Sequence, residues 1–189
     1  MNAGEQKSAT KLKRTVFWYN AVPNLFWSVI NLVPIYIFCY RYLALPVLFV
    51  FLGVSLLSLF LPKTFFSKLQ LGHTPAIYHK IGIRFINKFT QNGQIINNLI
   101  QKKYPQYRVV SARKRSMQAM LQQTYVFEKF HLSLFVFFNL ICLSAINKSL
   151  WGWASIILLT NILYNVYPCF LQQYIRLKLQ NAATRNPPI

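Results

Sequence analysis

Charge and hydropathy together predict an all-α integral membrane protein. It should have about four transmembrane helices, with a basic amphipathic helical cytoplasmic segment between the second and third. Three observations carry this expectation. Apolar residues fill 54% of the 189 positions, yet Lys and Arg outnumber Asp and Glu by 21 to 2. Long charge-free runs alternate with basic stretches instead of mixing with them. Glu128, the one acidic residue outside the N-terminal tail, sits where a basic segment becomes apolar, three positions before His131. A soluble nucleic-acid binder could carry the charge but not the charge-free runs, and no nucleic-acid module is visible among the basic residues. The partners to expect are anionic lipid headgroups, with no nucleic acid. Oligomeric state is not encoded legibly.

Taken in order, residues 1–15 form a basic tail holding Lys7, Lys11, Lys13 and Arg14. Residues 16–61 form a two-helix transmembrane hairpin. Val16–Tyr40 is charge-free and long enough for a hydrocarbon core of about 30 Å, with Pro23 and Pro34 as kinks or breaks. Arg41 marks the turn, and Tyr42–Leu61 is the second charge-free span. No cleavable leader pattern precedes the first span.

Residues 62–130 hold twelve Lys or Arg and no run long enough to span. TFFSKLQLG mixes Phe65, Phe66 and Leu69 with Lys63 and Lys68, as an interfacial helix does. IYHKIGIRFINKF places Ile77, Ile81, Phe85 and Phe89 four apart, an apolar helical stripe. An Asn-Gly turn lies within Gln91–Gln94, and GQIINNLIQKKYP predicts a short helix closed near Pro105. From Ser111 onward the absence of Gly and Pro predicts one helix running straight into the next span. Residues 131–171 form the second transmembrane hairpin, turning at Asn147-Lys148-Ser149. Residues 172–189 are a second basic tail, without order expected beyond Gln180.

This layout puts nineteen of the twenty-one basic residues on one side, leaving only Arg41 and Lys148 opposite. The positive-inside rule then places both termini and residues 62–130 in the cytoplasm of a cell with a plasma or bacterial inner membrane.

Chemistry has few places to reside. Cys39, Cys142 and Cys169 fall within apolar runs without CxxC spacing and read as packing residues. No metal site is expected, since His73 and His79 lie far from His131 and no carboxylate remains to complete a shell. Glu128 and His131, at i and i+3, share a helix face. They can form a structural pair, or a dyad in which Glu128 orients His131 as a general base. In the fourth span Asn161, Asn165, Gln172 and Arg176 recur in steps that keep them near one face. They can serve as interhelical hydrogen-bonding groups or as ligand contacts. Pro168 can free a backbone carbonyl in that helix. Tyr167 and Tyr174 read as interfacial aromatics. The Arg113-Lys114-Arg115 cluster suits lipid phosphates or the phosphates of a coenzyme A donor.

The segment IYHKIGIRFINKF…NGQIINNLIQKKYP, then E-x-x-H at the start of a span, then N-x-x-x-N-x-x-P-x-x-x-Q-x-Y-x-R in the last one, resembles the glycosyl-4,4'-diaponeurosporenoate acyltransferase family over roughly residues 77–178. The resemblance implies a small multi-span membrane protein. The family's named activity is the last step of staphyloxanthin synthesis, in which a hydroxyl of carotenoid-bound glucose is esterified with a fatty acyl chain. It implies Glu128 and His131 as catalytic residues and Asn165, Gln172, Tyr174 and Arg176 as substrate-binding ones, to which Asn161 on the same helix face is added as a candidate. No tightly bound cofactor is implied, and an acyl-CoA or acyl-carrier-protein could supply the acyl group. The family tail commonly reads Q-R-Y-N-R, whereas here Gln173 and Ile175 stand at the inner positions, so the acceptor can differ. The expected substrate is accordingly a glycosylated lipid or carotenoid. Two other classes compete: a membrane methyltransferase or reductase, for which no nucleotide-binding stretch is visible, and a non-catalytic scaffold.

Overall fold

The computed structural model describes residues 3–90, 93–107 and 114–185. Every regular element among them is helical. Helix α1 spans Ala3–Tyr42, with Pro23 and Pro34 inside it. After a two-residue corner, α2 (Leu45–Leu56) runs into a 3₁₀ turn at Leu57–Phe60. The basic middle folds as α3 (Lys63–Lys68), α4 (Pro75–Lys80), α5 (Ile83–Ile86) with a 3₁₀ turn at Asn87–Phe89, and α6 (Gln94–Lys103). Then come α7 (Lys114–Asn147) and α8 (Trp151–Asn161). A π-helical turn at Ile162–Val166 leads into α9 (Tyr167–Arg185).

Three stretches are long and apolar enough to cross a membrane: Thr10–Tyr42, Met117–Asn147 and Trp151–Thr184. The second expected span is shorter. Leu45–Phe60 is apolar, but its α and 3₁₀ turns give a length of about 26 Å, short of a hydrocarbon core of about 30 Å. Nor are α1 and α2 held as a simple pair. Helix α2 packs on α7, while α1 packs on α8 and α6.

Two apolar cores organise the chain. In one, Ile35 and Phe38 of α1 meet Phe137, Phe138, Ile141 and Ala145 of α7 and Ala154 and Ile157 of α8. In the other, Tyr78 and Ile83 of the middle segment pack on Leu171, Tyr174 and Leu177 of α9. Large apolar side chains on the outer faces of α1 and α2, such as Phe26, Val29, Phe49 and Val50, are exposed, as suits a lipid-facing surface.

Several local expectations change. The N-terminal tail is helical from Ala3, because residues 3–15 hold no proline and their one glycine, Gly4, lies in the first turn of a helix that the first apolar run propagates. The C-terminal tail likewise stays helical to Arg185, beyond Gln180, held by the buried Tyr174, Arg176, Leu177 and Leu179. The stripe Ile77, Ile81, Phe85, Phe89 does not lie on one helix. Gly82 adopts a left-handed conformation (φ +79) and separates α4 from α5. The buried members are Tyr78 and Ile83, while Ile77, Phe85 and Phe89 are exposed. Gly93 caps α6 where a Cβ would strike the Asn87 and Thr90 carbonyls. Gln91 and Asn92 of the expected Asn-Gly turn, Ser111 and Arg113 of the α7 approach, and Pro187-Pro188 lie outside the described residues.

Candidate active site

Helix α7 carries both residues singled out by charge and spacing, and α8–α9 runs antiparallel beside it after the tight turn at Lys148-Ser149. Polar side chains from the two helices meet in two clusters, about one helical turn apart along α7.

The first cluster centres on Glu128, which is 1% exposed. Its Oε2 accepts a hydrogen bond from Arg176 Nη1 at 2.6 Å, and its Oε1 accepts one from Gln173 Nε2 at 2.7 Å. Arg176 is equally buried and lies over the Tyr125 ring, 4.2 Å from its centroid. Its Nη2 has no hydrogen-bond acceptor among the described residues, so the aromatic face carries part of the charge. Gln173 extends the cluster into the middle segment: its Oε1 accepts from the Leu71 backbone N–H at 3.1 Å and from the Tyr78 hydroxyl at 3.0 Å. A carboxylate on one side and a backbone N–H on the other leave the Gln173 amide a single orientation. Burial pushes the Tyr78 phenol above its ordinary value, so it is a donor at neutral pH.

The second cluster centres on His131. Asn161 Nδ2 donates to the Phe135 carbonyl at 3.2 Å, and Asn165 Nδ2 donates to Asn161 Oδ1 at 2.8 Å. Asn165 therefore turns its oxygen toward His131, whose Nδ1 lies 3.5 Å away. An amide oxygen only accepts, so Nδ1 is the ring's donor and Nε2 of the neutral ring keeps its lone pair. Tyr164 closes another side. Its ring stands edge-on to the imidazole with centroids 6.0 Å apart, and its backbone carbonyl is a further polar neighbour of the His131 ring.

The expected pairing of Glu128 with His131 does not form. Both carboxylate oxygens are taken by Arg176 and Gln173, and the contact of His131 is to Asn165. The physical reason is desolvation: a buried carboxylate needs a cation and full hydrogen bonding more than it needs a neutral imidazole.

The α8–α9 expectations divide as well. Asn161, Asn165 and Arg176 do face α7, but Gln172 does not join them. It is half-exposed, while Gln173 occupies the buried place at Glu128. The π turn accounts for this, because Tyr167 N–H bonds back to the Ile162 carbonyl five residues earlier. Such a turn holds about one residue more than an α turn. The face of Asn165 therefore continues through Gln173 and not through Gln172. Tyr174 is buried and its hydroxyl meets His79 Nε2 at 3.2 Å. His73 is exposed. Of the Arg113-Lys114-Arg115 cluster, Arg113 lies outside the described residues and the other two only begin α7. Tyr78 and Tyr164 are site residues that sequence reasoning passes over, and Gln173 figures there only as a departure from the family tail.

Long apolar helices that enclose an imidazole, three amides and an ion pair define a membrane-type protein with a polar centre between its helices. The particular family follows from comparison: the chain belongs to the glycosyl-4,4'-diaponeurosporenoate acyltransferase family, whose model matches residues 62–185. That match takes in both polar clusters and the whole middle segment, and leaves α1 and α2 outside. No curated protein and no solved structure matches the chain.

Proposed function

We propose that this chain is a membrane O-acyltransferase that moves a fatty acyl group from a thioester donor to a hydroxyl of a glycosylated lipid or carotenoid at the cytoplasmic leaflet. The observation that supports it most is the setting of His131. One ring nitrogen faces an amide oxygen, which on the Nδ1–H tautomer leaves the other its lone pair, within the apolar helix stretch Met117–Asn147. His131 Nε2 takes the proton of the acceptor hydroxyl as its oxygen attacks the thioester carbonyl. The C–O bond forms, the C–S bond breaks, and the proton passes from the imidazolium to the departing thiolate. Products are one ester and one thiol.

Asn165 spends one amide hydrogen on Asn161 and has a second for the developing oxyanion. Gln172, half-exposed on α9, is offered to the sugar, with Tyr174 on the same helix and Asn161 at the end of α8. Glu128 and Arg176 act through position: they hold α9 against α7 and so fix Asn165 beside His131. An acyl-CoA or acyl-carrier-protein is the donor class, and the basic middle segment meets its phosphates or acidic face at the membrane surface. With the basic segment 62–130 on the cytoplasmic side, as its charge favours, donor and base share one side of the membrane.

The test is lipid analysis of cells lacking the protein, complemented with wild type or with His131→Ala. Wild type should restore one acylated lipid species that His131→Ala, inserted at equal level, does not. Restoration by His131→Ala would overturn the assignment. It would favour the scaffold reading, to which the sealed Glu128–Arg176 pair also lends itself.

A further inference from the structure

Helix α1 lies outside the family match, yet it reaches the His131 cluster. Ser28 Oγ, in the middle of α1, is hydrogen-bonded to the Tyr164 hydroxyl at 2.9 Å. Tyr164 sits inside the π turn Ile162–Val166, and Pro168 lies four residues after it. Proline has no N–H to give, so the Tyr164 carbonyl lacks its ordinary helical donor. That carbonyl and the Tyr164 ring are both neighbours of the His131 imidazole. Tyr164 thus touches His131 at two points, while its far end is tied to a different helix. The Asn165 contact alone, at 3.5 Å, is at the limit of a hydrogen bond and would hold the ring loosely.

We infer that Tyr164 is a positioning residue for His131, that the π turn opened by Pro168 aims it, and that Ser28 of α1 anchors it. This rests on the reading of His131 as the base. The first helix is then part of the active centre as well as an anchor in the bilayer. The hydroxyl–hydroxyl bond fixes the Tyr164 ring, the ring and the freed carbonyl limit rotation of the imidazole, and Asn165 selects its tautomer. Without Ser28 the tyrosine can swing toward lipid and the imidazole gains a second orientation.

The experiment uses the full chain in detergent micelles, labelled with ¹⁵N-histidine, the His131 signals being assigned by their loss in His131→Gln. Ring ¹⁵N shifts report the tautomer, and acyl transfer is measured on the same samples. The inference predicts that Ser28→Ala and Tyr164→Phe each move the His131 shifts toward a tautomer mixture. Each should lower kcat about tenfold with little change in KM. The double variant should be no worse than either single one, because both remove one bond. Pro168→Ala, which returns a donor to the Tyr164 carbonyl, should give the same spectral change. If it fails to fold, the two hydroxyl variants decide. Wild-type His131 shifts in Ser28→Ala and Tyr164→Phe would overturn the inference, as would losses that multiply in the double variant. Shifts that move while no sample transfers acyl groups would support the positioning role and refute the proposed reaction.

Discussion

One turn of α7 separates Glu128 from His131, and the two side chains are treated in opposite ways. Glu128 is closed in: both oxygens are bonded, its counter-ion is as buried as it is, and Gln173 links it to Leu71 and Tyr78 of the middle segment. His131 is only partly buried, held by one long contact and by aromatic and carbonyl neighbours. A charge removed from water needs a counter-charge and hydrogen bonds to offset its lost hydration. A base must instead keep one lone pair uncommitted. The first arrangement is what a structural clamp requires and the second is what a reacting group requires. Two neighbours on one helix can therefore serve different ends.

Breaking the clamp should have the largest effect on the fold. Glu128→Ala leaves the Arg176 guanidinium buried without its carboxylate and should destabilise the protein by roughly 3–5 kcal/mol, read as lost thermal stability in detergent. Replacing Glu128 and Arg176 together by Leu and Met should recover much of that loss. If the double replacement is as unstable as the single one, the clamp is not the source of the stability.

Asn165→Ala blurs the contrast from the other side, since it strands Asn161 Oδ1 and the His131 Nδ1–H. A loss of about 1–3 kcal/mol is expected, along with a drop in acyl transfer that exceeds the drop in folded protein. Equal drops would make Asn165 merely structural.

Tyr78→Phe removes the hydroxyl that reaches Gln173 and should cost about 1 kcal/mol, seen as faster proteolysis of the 69–74 loop. The same tyrosine gives the smallest effect. Its phenol is held above the ordinary 10.0 by burial, so the folded chain keeps this proton more tightly than the unfolded chain does. Its contribution is complete below pH about 10 and falls as pH rises beyond that value. Tyr78→Phe should flatten that alkaline decline in a pH–stability series.

The helical class, α6, the unbroken run of α7 and the polar positions Asn161 and Asn165 were legible, because composition, breakers and amide spacing are local properties. What was not legible depends on geometry beyond the window of a few residues. Stepping from Asn165 by α-helical turns arrives at Gln172, and only the π turn moves the face to Gln173. Spacing put Glu128 beside His131 because both lie on α7, but Arg176, 48 positions further along the chain, wins through tertiary contact. Gly82 was visible, yet its left-handed φ, which splits the Ile77–Phe89 stripe, is a choice made by packing on α9. The second charge-free run has the composition of a span and lacks the helical length of one.

The central claim is the division of labour between the two clusters, and one measurement addresses it directly. Acyl-transfer rate per folded, membrane-inserted protein should be determined for His131→Gln and for the Glu128→Leu/Arg176→Met double variant, side by side with wild type. The account predicts that His131→Gln keeps the wild-type melting temperature and loses at least about a hundredfold in rate. The double variant should keep a rate within about tenfold of wild type for every molecule that folds. A folded His131→Gln protein that turns over normally, or a folded double variant that is inert, would contradict it.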